Sequence, residues 1–200
     1  MGVFDNYKEI DGKVVDTTFV QWIHTGIPNS PDLVRWFMRI WAMLFGHCLR
    51  CTALSGCYFA KYNMPGDLND PEGLLHPHCH CHIEGISNAT LKYDVNVVCP
   101  IEKFTEYIFA DKYNQNGKRE LFKLLGFNIE DSYELKKEFE KQAKEKYILG
   151  DYVLKNLDIF GQNIDISIII NKNGRKVEFK SGWKVYPEGF LNCNTPMGDK

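Results

Sequence analysis

The spacing of hydrophobic residues predicts a strand and then a helix in the first part of the chain. Residues 13–23 are rich in Val, Thr, Phe and Trp and predict a strand. Ser30, Pro31 and Asp32 form a helix start, because a capping hydroxyl and a first-turn proline precede an acid at the positive end of the helix dipole. The predicted helix covers residues 31–45. It is apolar nearly all round, which is typical of a helix buried in its own protein or in contact with a partner or second copy.

The pattern changes from helical to alternating spacing near Gly150. Helices are predicted over residues 101–109, 118–125 and 129–147. Strands are predicted over residues 91–98, 152–157, 162–171, 176–181 and 183–186. Asn173 and Gly174 predict a hairpin turn, because Asn-Gly readily adopts positive φ. Helices followed by an antiparallel sheet predict an α+β fold.

Pro100 marks the predicted boundary between two parts of the chain. Residues 1–99 are expected to form a small zinc-stabilised module with one helix and a cysteine–histidine cluster. Residues 100–200 are expected to form a domain of helices followed by an antiparallel sheet.

Composition and charge exclude several classes of protein. The chain has 200 residues, 44% hydrophobic and 14% aromatic, which is enough for a buried core and excludes a disordered chain. Its net charge of −2 is not the strongly basic footprint of a nucleic-acid-binding domain. Residues 33–45, the most apolar run, are too few to span a bilayer, so no membrane partner is expected.

Cysteine usage indicates a reducing compartment. Seven Cys is an odd number, and residues 1–10 lack the basic-then-apolar pattern of a secretory signal. Thiols in such a compartment bind metal more often than each other. The cytoplasm is therefore the expected location. Three isolated cysteines, Cys57, Cys99 and Cys193, are expected to be small core residues.

The cysteine–histidine cluster predicts a zinc site. Cys48 and Cys51 have the Cys-x-x-Cys spacing that directs two sulfurs to one ion. Cys79 and Cys81 would share one face of an extended segment and complete a four-thiolate site. His76 could replace one thiolate, because a proline follows it and breaks the alternation. A closed four-ligand site is structural, whereas a catalytic zinc would keep an open position; a catalytic zinc and the absence of metal remain alternatives.

Three further histidines, His78, His80 and His82, would point away from the cysteines if the segment is extended. They could hold a second ion or contact phosphate. A solvated strand face is the simpler interpretation of the same pattern.

The cluster resembles the C-terminal end of phage minor head proteins of the Mu F-like head-morphogenesis family. The matching features are the Cys-x-x-Cys pair from Cys48, then Gly56 and Phe59, and the His-Pro-His-Cys-His-Cys run from His76. The likeness covers roughly residues 46–82. It departs where the family has Asn and Arg in place of the second and third histidines, and the family's long upstream helical portion is missing. The resemblance implies a zinc-knuckle-like module of phage origin.

The second half is similar to an uncharacterised family found at the ends of bacterial polymorphic toxins. The matching positions include Phe104, Gly117, Lys118, Phe122, Leu125, Gly126, Phe127, Tyr147, Gly150, Phe160, Gly161, Gln162, Asn173, Gly174, Ser181, Gly182, Trp183, Thr195 and Pro196. The resemblance implies a compact α+β ribonuclease-type toxin, with RNA as substrate and a cognate antitoxin as partner.

The residues themselves allow a metal-independent nuclease but do not require one. Residues 101–200 contain no His, so proton transfer and charge stabilisation would fall to other side chains. The catalytic candidates are Lys118, Arg119, Gln162, Lys180, Ser181 and Thr195, with Tyr186 nearby. Lys118 and Arg119 begin a helix, where cations and free N–H groups can meet phosphate. Each candidate has a plainer structural interpretation, and Trp183 is expected in the core.

Three functions remain open. The first is an intracellular toxin-like ribonuclease behind a structural zinc module. The second is a non-catalytic phage protein that binds and inhibits a host defence or nucleic-acid-processing protein, or serves as a virion accessory component. The third is nucleic-acid binding through the three histidines and Arg50. The helix over residues 31–45 is a candidate surface for self-association, and the host cytoplasm or the virion is the expected location.

Overall fold

A computed structural model describes most of the second half and several segments of the first half. The described ranges are residues 7–10, 13–16, 19–24, 48–66, 75–76, 81–86, 95–110 and 118–197. Helices and strands are mixed, and the predicted α+β class is confirmed. The predicted helix over residues 31–45 lies outside the described residues.

The N-terminal strands belong to two small sheets. β1 (Tyr7–Ile10) pairs with β2 (Lys13–Asp16) in an antiparallel ribbon. β3 (Phe19–His24) lies between two later strands, described below. The single strand predicted over residues 13–23 is therefore wrong, since it is two strands in different sheets. Residue composition favours extended backbone but does not specify which neighbour a strand pairs with.

The cysteine–histidine region contains α1 (Leu49–Leu54), β4 (Tyr58–Ala60) and β5 (Cys81–Ile86). β4 and β5 flank β3 on its two sides, both antiparallel. Backbone bonds fasten the end of α1 to this sheet, because Gly56 N–H donates to Trp22 O at 2.7 Å and Trp22 N–H donates to Cys57 O at 2.9 Å.

The following segment supplies one strand and the predicted helices. β6 (Asn96–Val98) precedes a π-helical turn, Lys103–Ile108, in which Phe109 N–H donates to Phe104 O. α2 (Lys118–Leu124) follows, and the short 3₁₀ turn Ile129–Asp131 leads into α3 (Ser132–Ile148). Helical structure is confirmed in all three predicted segments.

Four strands of the C-terminal half and β6 form a five-stranded sheet with strand order β6-β10-β9-β8-β7. Its strands are β7 (Val153–Asp158), β8 (Gly161–Lys172), β9 (Arg175–Tyr186) and β10 (Phe190–Thr195). All pairs are antiparallel except β6 with β10. The predicted hairpin turn joins β8 to β9, with φ of 53° at Asn173 and 73° at Gly174.

Two features of this sheet differ from the sequence prediction. β9 is one strand and does not break at Gly182, which the prediction placed between two strands. A Cβ at Gly182 would lie 3.1 Å from Thr195 Cγ2, so the glycine there allows a close approach of β10. β10 itself was not predicted, because its alternating Asn residues weaken the strand pattern.

The two predicted parts of the chain share one hydrophobic core. Phe19 of β3 contacts Tyr147 of α3 edge to face, with ring centroids 5.8 Å apart. Tyr152 O–H donates to Asn63 O at 2.7 Å and accepts from Ala60 N–H at 3.0 Å. β6 lies before the predicted boundary at residue 100, yet it completes the C-terminal sheet. The boundary in the chain therefore does not coincide with a gap in the packing.

None of the helices in the part of the chain that the structure describes combines the length and the apolar surface needed to cross a bilayer.

Candidate metal centre

Three of the predicted metal ligands lie together at the start of α1. The ligand atoms of Cys48, Cys51 and His76 all lie within 4.8 Å of one another, and Cys51 Sγ lies 3.3 Å from His76 Nε2. Cys48 is the residue before the helix and Cys51 lies in its first turn, where Thr52 N–H donates to Cys48 O at 3.0 Å. The helical turn thus directs both sulfurs to the same side.

The surroundings of this group favour the thiolate form of Cys48. Burial raises the pKa of Cys48, but hydrogen bonds from the Cys51 backbone and thiol and from the Arg50 backbone lower it, as does the His76 charge, and the net shift is downward. Cys51 is buried, and the other two residues of the group are half-buried. Metal ions bind thiolates, so a lowered pKa prepares the site for an ion.

Two sulfurs and one imidazole could hold a metal ion, and a tetrahedral ion would need one more ligand. Cys79 lies outside the described residues. Cys81 begins β5, is half-buried against the core, and is not a member of the three-residue group. The role of either cysteine as fourth ligand stays a prediction. His76, predicted as a substitute for one thiolate, is in the group.

Of the three further histidines, one is described. His82 on β5 is 51% exposed, and its Nε2 lies 3.4 Å from Glu84 Oε1. This position on an exposed strand face agrees with the plainer interpretation of the histidines. His78 and His80 lie outside the described residues.

Two of the catalytic candidates are core residues. Ser181 is fully buried; its hydroxyl donates to Ile166 O at 2.8 Å and accepts from the Trp183 indole N–H at 2.7 Å. Gln162 is 2% exposed, and its Nε2 donates to two backbone carbonyls, those of Lys155 and Asn163. These bonds pair the Ser181 hydroxyl and the Gln162 amide donor inside the sheet. Trp183 is fully buried, as predicted.

Two other candidates meet at the C-terminal end of the chain. Lys118 Nζ donates to Met197 O at 2.8 Å, and Thr195 Oγ1 donates to the same oxygen at 2.9 Å. The Tyr107 hydroxyl lies 3.3 Å from Lys118 Nζ. Arg119 follows on α2 and is half-buried. These contacts fasten the last described residues to α2.

The remaining candidates lie on the sheet face opposite the core. Lys180 is exposed and faces away from Ser181, since successive residues of β9 point to opposite sides. Tyr186 is half-buried on the same face, with its ring 5.7 Å from that of Phe190. The six catalytic candidates are therefore divided between the core, the outer sheet face and the start of α2, where Lys118 and Thr195 share an acceptor.

The isolated cysteines are buried, as predicted. Cys57, Cys99 and Cys193 are all 0% exposed. A hydrogen bond with the Cys99 thiol, together with burial, raises the pKa of Cys193, so that thiol stays neutral. These residues act as small hydrophobic side chains.

A polar network on the outer sheet face was missed by the sequence analysis. Lys184 Nζ lies 2.8 Å from Asp158 Oδ2, although the lysine side chain is only 11% exposed. Asn163 Nδ2 donates to the same carboxylate at 3.2 Å and accepts, through its Oδ1, from Asn194 Nδ2 at 3.0 Å. The alternating polar residues of β8 and β9 were the available signal. Their convergence depends on the strand register, which local spacing does not give.

An apolar cleft lies beside the candidate metal centre. Its volume is about 440 Å³. We call it the metal-side cleft, and it is lined by Cys48, Leu49, Arg50, Leu75, His76, Leu157 and Ile159. Two of these residues belong to the metal group, and two come from the end of β7 and the turn after it. The metal group and the edge of the C-terminal sheet thus line one cleft.

No protein-family model, no curated protein and no solved structure matches this chain. The likenesses to phage head proteins and toxin domains stay predictions. Functional conclusions therefore depend on the side chains described above.

Proposed function

We propose that this chain is a non-catalytic, phage-related binding protein whose N-terminal part is held in place by one structural zinc ion. Its target would be a host defence or nucleic-acid-processing protein in the cytoplasm, or a virion component. The observation that carries the proposal is the contrast between its two candidate sites. The metal ligands converge, whereas the catalytic candidates are dispersed.

Zinc is the metal that best fits the converging side chains. Thiolate and imidazole together suit a borderline-soft ion such as Zn²⁺, whereas Mg²⁺ and Ca²⁺ prefer oxygen. A cysteine from residue 79 or 81 would close the tetrahedron and leave no position for a substrate water. The ion would then join α1 to the segment around His76, two pieces of chain separated by a long connection.

Metal analysis tests the zinc part of the proposal. Purified protein is expected to hold about one zinc per chain, and Cys51→Ser should lose most of it, because Cys51 is the buried ligand. Cys57→Ser is the matched control, since that cysteine is equally buried but lies outside the metal group. Zinc retained by the Cys51 variant, or lost equally by both variants, would contradict the assignment.

The dispersal of the catalytic candidates supports a non-catalytic role. A nuclease site needs its proton-transfer groups and cations within reach of one phosphodiester. Ser181 and Gln162 have their polar atoms bonded to main-chain and core groups, and Lys180 lies on the other face of the sheet. Binding proteins need no such convergence.

Incubation with labelled RNA tests this part of the proposal. The purified, zinc-loaded protein is expected to leave the RNA intact and to allow normal growth when expressed. Specific capture of one host or capsid protein, measured with purified components, would support the binding role. Cleavage that is lost in a Lys118→Ala, Lys180→Ala double variant would refute it.

A ribonuclease-type toxin is the second candidate, and one observation favours it. Lys118 Nζ and the Tyr107 hydroxyl are 3.3 Å apart beside Thr195, so a cation, a phenol and a hydroxyl occupy one place. Such groups could stabilise a phosphate and transfer a proton. Under this alternative, Tyr107→Phe should abolish RNA cleavage, whereas Tyr133→Phe, at an exposed tyrosine elsewhere, should not.

A further inference from the structure

We propose that the metal-side cleft binds an acidic and apolar segment, and that this segment is the start of α3 in a second copy of the chain. This contact would be separate from the self-association surface predicted on the helix over residues 31–45. It would hold whether or not the protein also binds a host target.

The cleft combines apolar walls with one cation. Leu49, Leu75 and Leu157 are half-buried, and Ile159 is 44% exposed. Arg50 is exposed at the rim, and its guanidinium has no hydrogen bond or ion pair with any residue that the structure describes. A ligand that covers these apolar walls would therefore be expected to place a carboxylate next to the Arg50 guanidinium.

Other ligand classes fit this lining less well. Single-stranded nucleic acid needs aromatic platforms and several cations, whereas the described lining residues include one arginine and no Phe, Tyr or Trp. A small polar metabolite needs several convergent hydrogen-bonding groups, which the leucine and isoleucine walls do not supply. A protein segment with apolar side chains next to a carboxylate matches both parts of the cleft.

The start of α3 presents that combination on the surface of the same chain. Ile129, in the 3₁₀ turn just before α3, is 54% exposed, and Tyr133, in the first turn of α3, is 57% exposed. Glu130 and Glu134 are exposed beside them with the same spacing. Two large apolar side chains and two carboxylates are thus exposed in one short segment, in which Lys137 Nζ lies 4.5 Å from the centre of the Tyr133 ring.

A chain cannot place this segment in its own cleft. The cleft lies near the start of β8, where Leu157 pairs with Gln162. The start of α3 lies near the other end of that strand, since Lys172 Nζ is 2.7 Å from Asp131 Oδ1. β8 has 12 residues and spans roughly 40 Å at about 3.3 Å per residue. The contact therefore joins two copies, either reciprocally across a two-fold axis or head to tail in a ring or filament.

Charge reversal on each side tests the contact. Sedimentation of the zinc-loaded wild-type protein is expected to show self-association that increases with concentration. Arg50→Glu should weaken it by about tenfold or more, because two like charges then face each other. The double variant Glu130→Arg, Glu134→Arg should weaken it equally. An equimolar mixture of the two variants should associate again. The Arg50→Glu chains keep a native α3 start, the double-variant chains keep a native cleft, and these two surfaces can still pair.

Matched reversals on the exposed face of α3 serve as controls. Lys141→Glu and Glu145→Arg should leave association unchanged. Circular dichroism and zinc content show whether Arg50→Glu disturbs the neighbouring cysteines, and the α3 variant is remote from them.

A wild-type protein that stays monomeric at all concentrations would overturn the proposal. So would association that neither reversal weakens, or a mixture that fails to associate. RNA cleavage would refute the proposed function but leave this contact standing.

Discussion

Gly150 illustrates how a single residue fixes the contact between the two halves of the chain. It follows α3 with φ of 71°, and a Cβ there would clash with the Tyr62 hydroxyl and lie 2.8 Å from both Tyr62 Cζ and the buried Ala60 Cβ. Gly174 has nearly the same φ, 73°, but a Cβ there would meet nothing within 4 Å. Alanine substitutions at the two glycines would therefore have similar backbone strain but differ in how much the new Cβ is crowded by its neighbours.

We expect Gly174→Ala to lower the free energy of unfolding by about 1 kcal/mol, the cost of a left-handed alanine. Gly150→Ala should lower it by about 3 kcal/mol or more, because crowding against Ala60 adds to the same strain. Urea denaturation of both variants measures the difference. Equal losses would mean that the segment around residue 60 moves away at little cost.

The Asp158 carboxyl should make stability depend on pH. Burial raises its pKa, but hydrogen bonds from Lys184 Nζ, Phe160 N–H and Asn163 Nδ2 lower it more, so the net shift is downward. A depressed pKa in the folded state contributes stability above the unfolded pKa of about 3.9, and this contribution is lost as the pH falls through the folded value.

Asp158→Asn should therefore destabilise the protein at pH 7 and change its stability little once the pH is well below about 4. Asp151→Asn is the control, because its ion pair with Lys146 at 3.4 Å is half-exposed and should contribute little at any pH. Urea denaturation at several pH values, compared between variants, measures both effects. A constant difference between wild type and Asp158→Asn at all pH values would contradict the expectation.

At the scale of elements, α3 does more than cover the sheet. β7 pairs with β8 as far as Asp165, and beyond that residue no described strand pairs with the same edge of β8. The Gln142 side chain takes that place: its Nε2 donates to Ile169 O at 2.6 Å, and its Oε1 accepts from Ile169 N–H at 2.8 Å. An amide on a helix thus imitates one residue of a neighbouring strand and protects the edge.

Gln142→Ala should lower the free energy of unfolding by about 1–3 kcal/mol, because it leaves two backbone groups unpaired. The Ile169 amide should also exchange its hydrogen faster, as measured by mass spectrometry or NMR. Gln142→Glu retains the acceptor for that amide, so Ile169 should stay partly protected in this variant. Unchanged exchange in the alanine variant would show that the edge is protected in another way.

At the scale of the whole molecule, the halves on either side of residue 100 depend on each other. β6 comes from the first half and pairs with β10, and Phe19 packs against Tyr147. A fragment of residues 100–200 should therefore be unfolded by circular dichroism and NMR. Adding a fragment of residues 1–99 with zinc should restore structure. A folded spectrum from the second fragment alone would mean that the shared core is dispensable.

Local signals in the sequence were enough for much of the second half. Helical spacing placed α2 and α3 and alternation placed β7 and β8, because both depend on residues a few positions apart. Asn173 and Gly174 specified their turn through the φ angles they tolerate. The Cys-x-x-Cys spacing placed Cys48 and Cys51 together for the same reason.

Only the tertiary structure decided which distant residues meet. It brought His76 to the two cysteines, joined β6 to the C-terminal sheet, and separated the catalytic candidates between the core and two surfaces. These outcomes depend on strand register and on packing between segments far apart in the chain. The sequence by itself determined the fold class and two of the three residues of the metal group, since both follow from short-range spacing. Long-range contacts determined the surroundings of the site and its cleft.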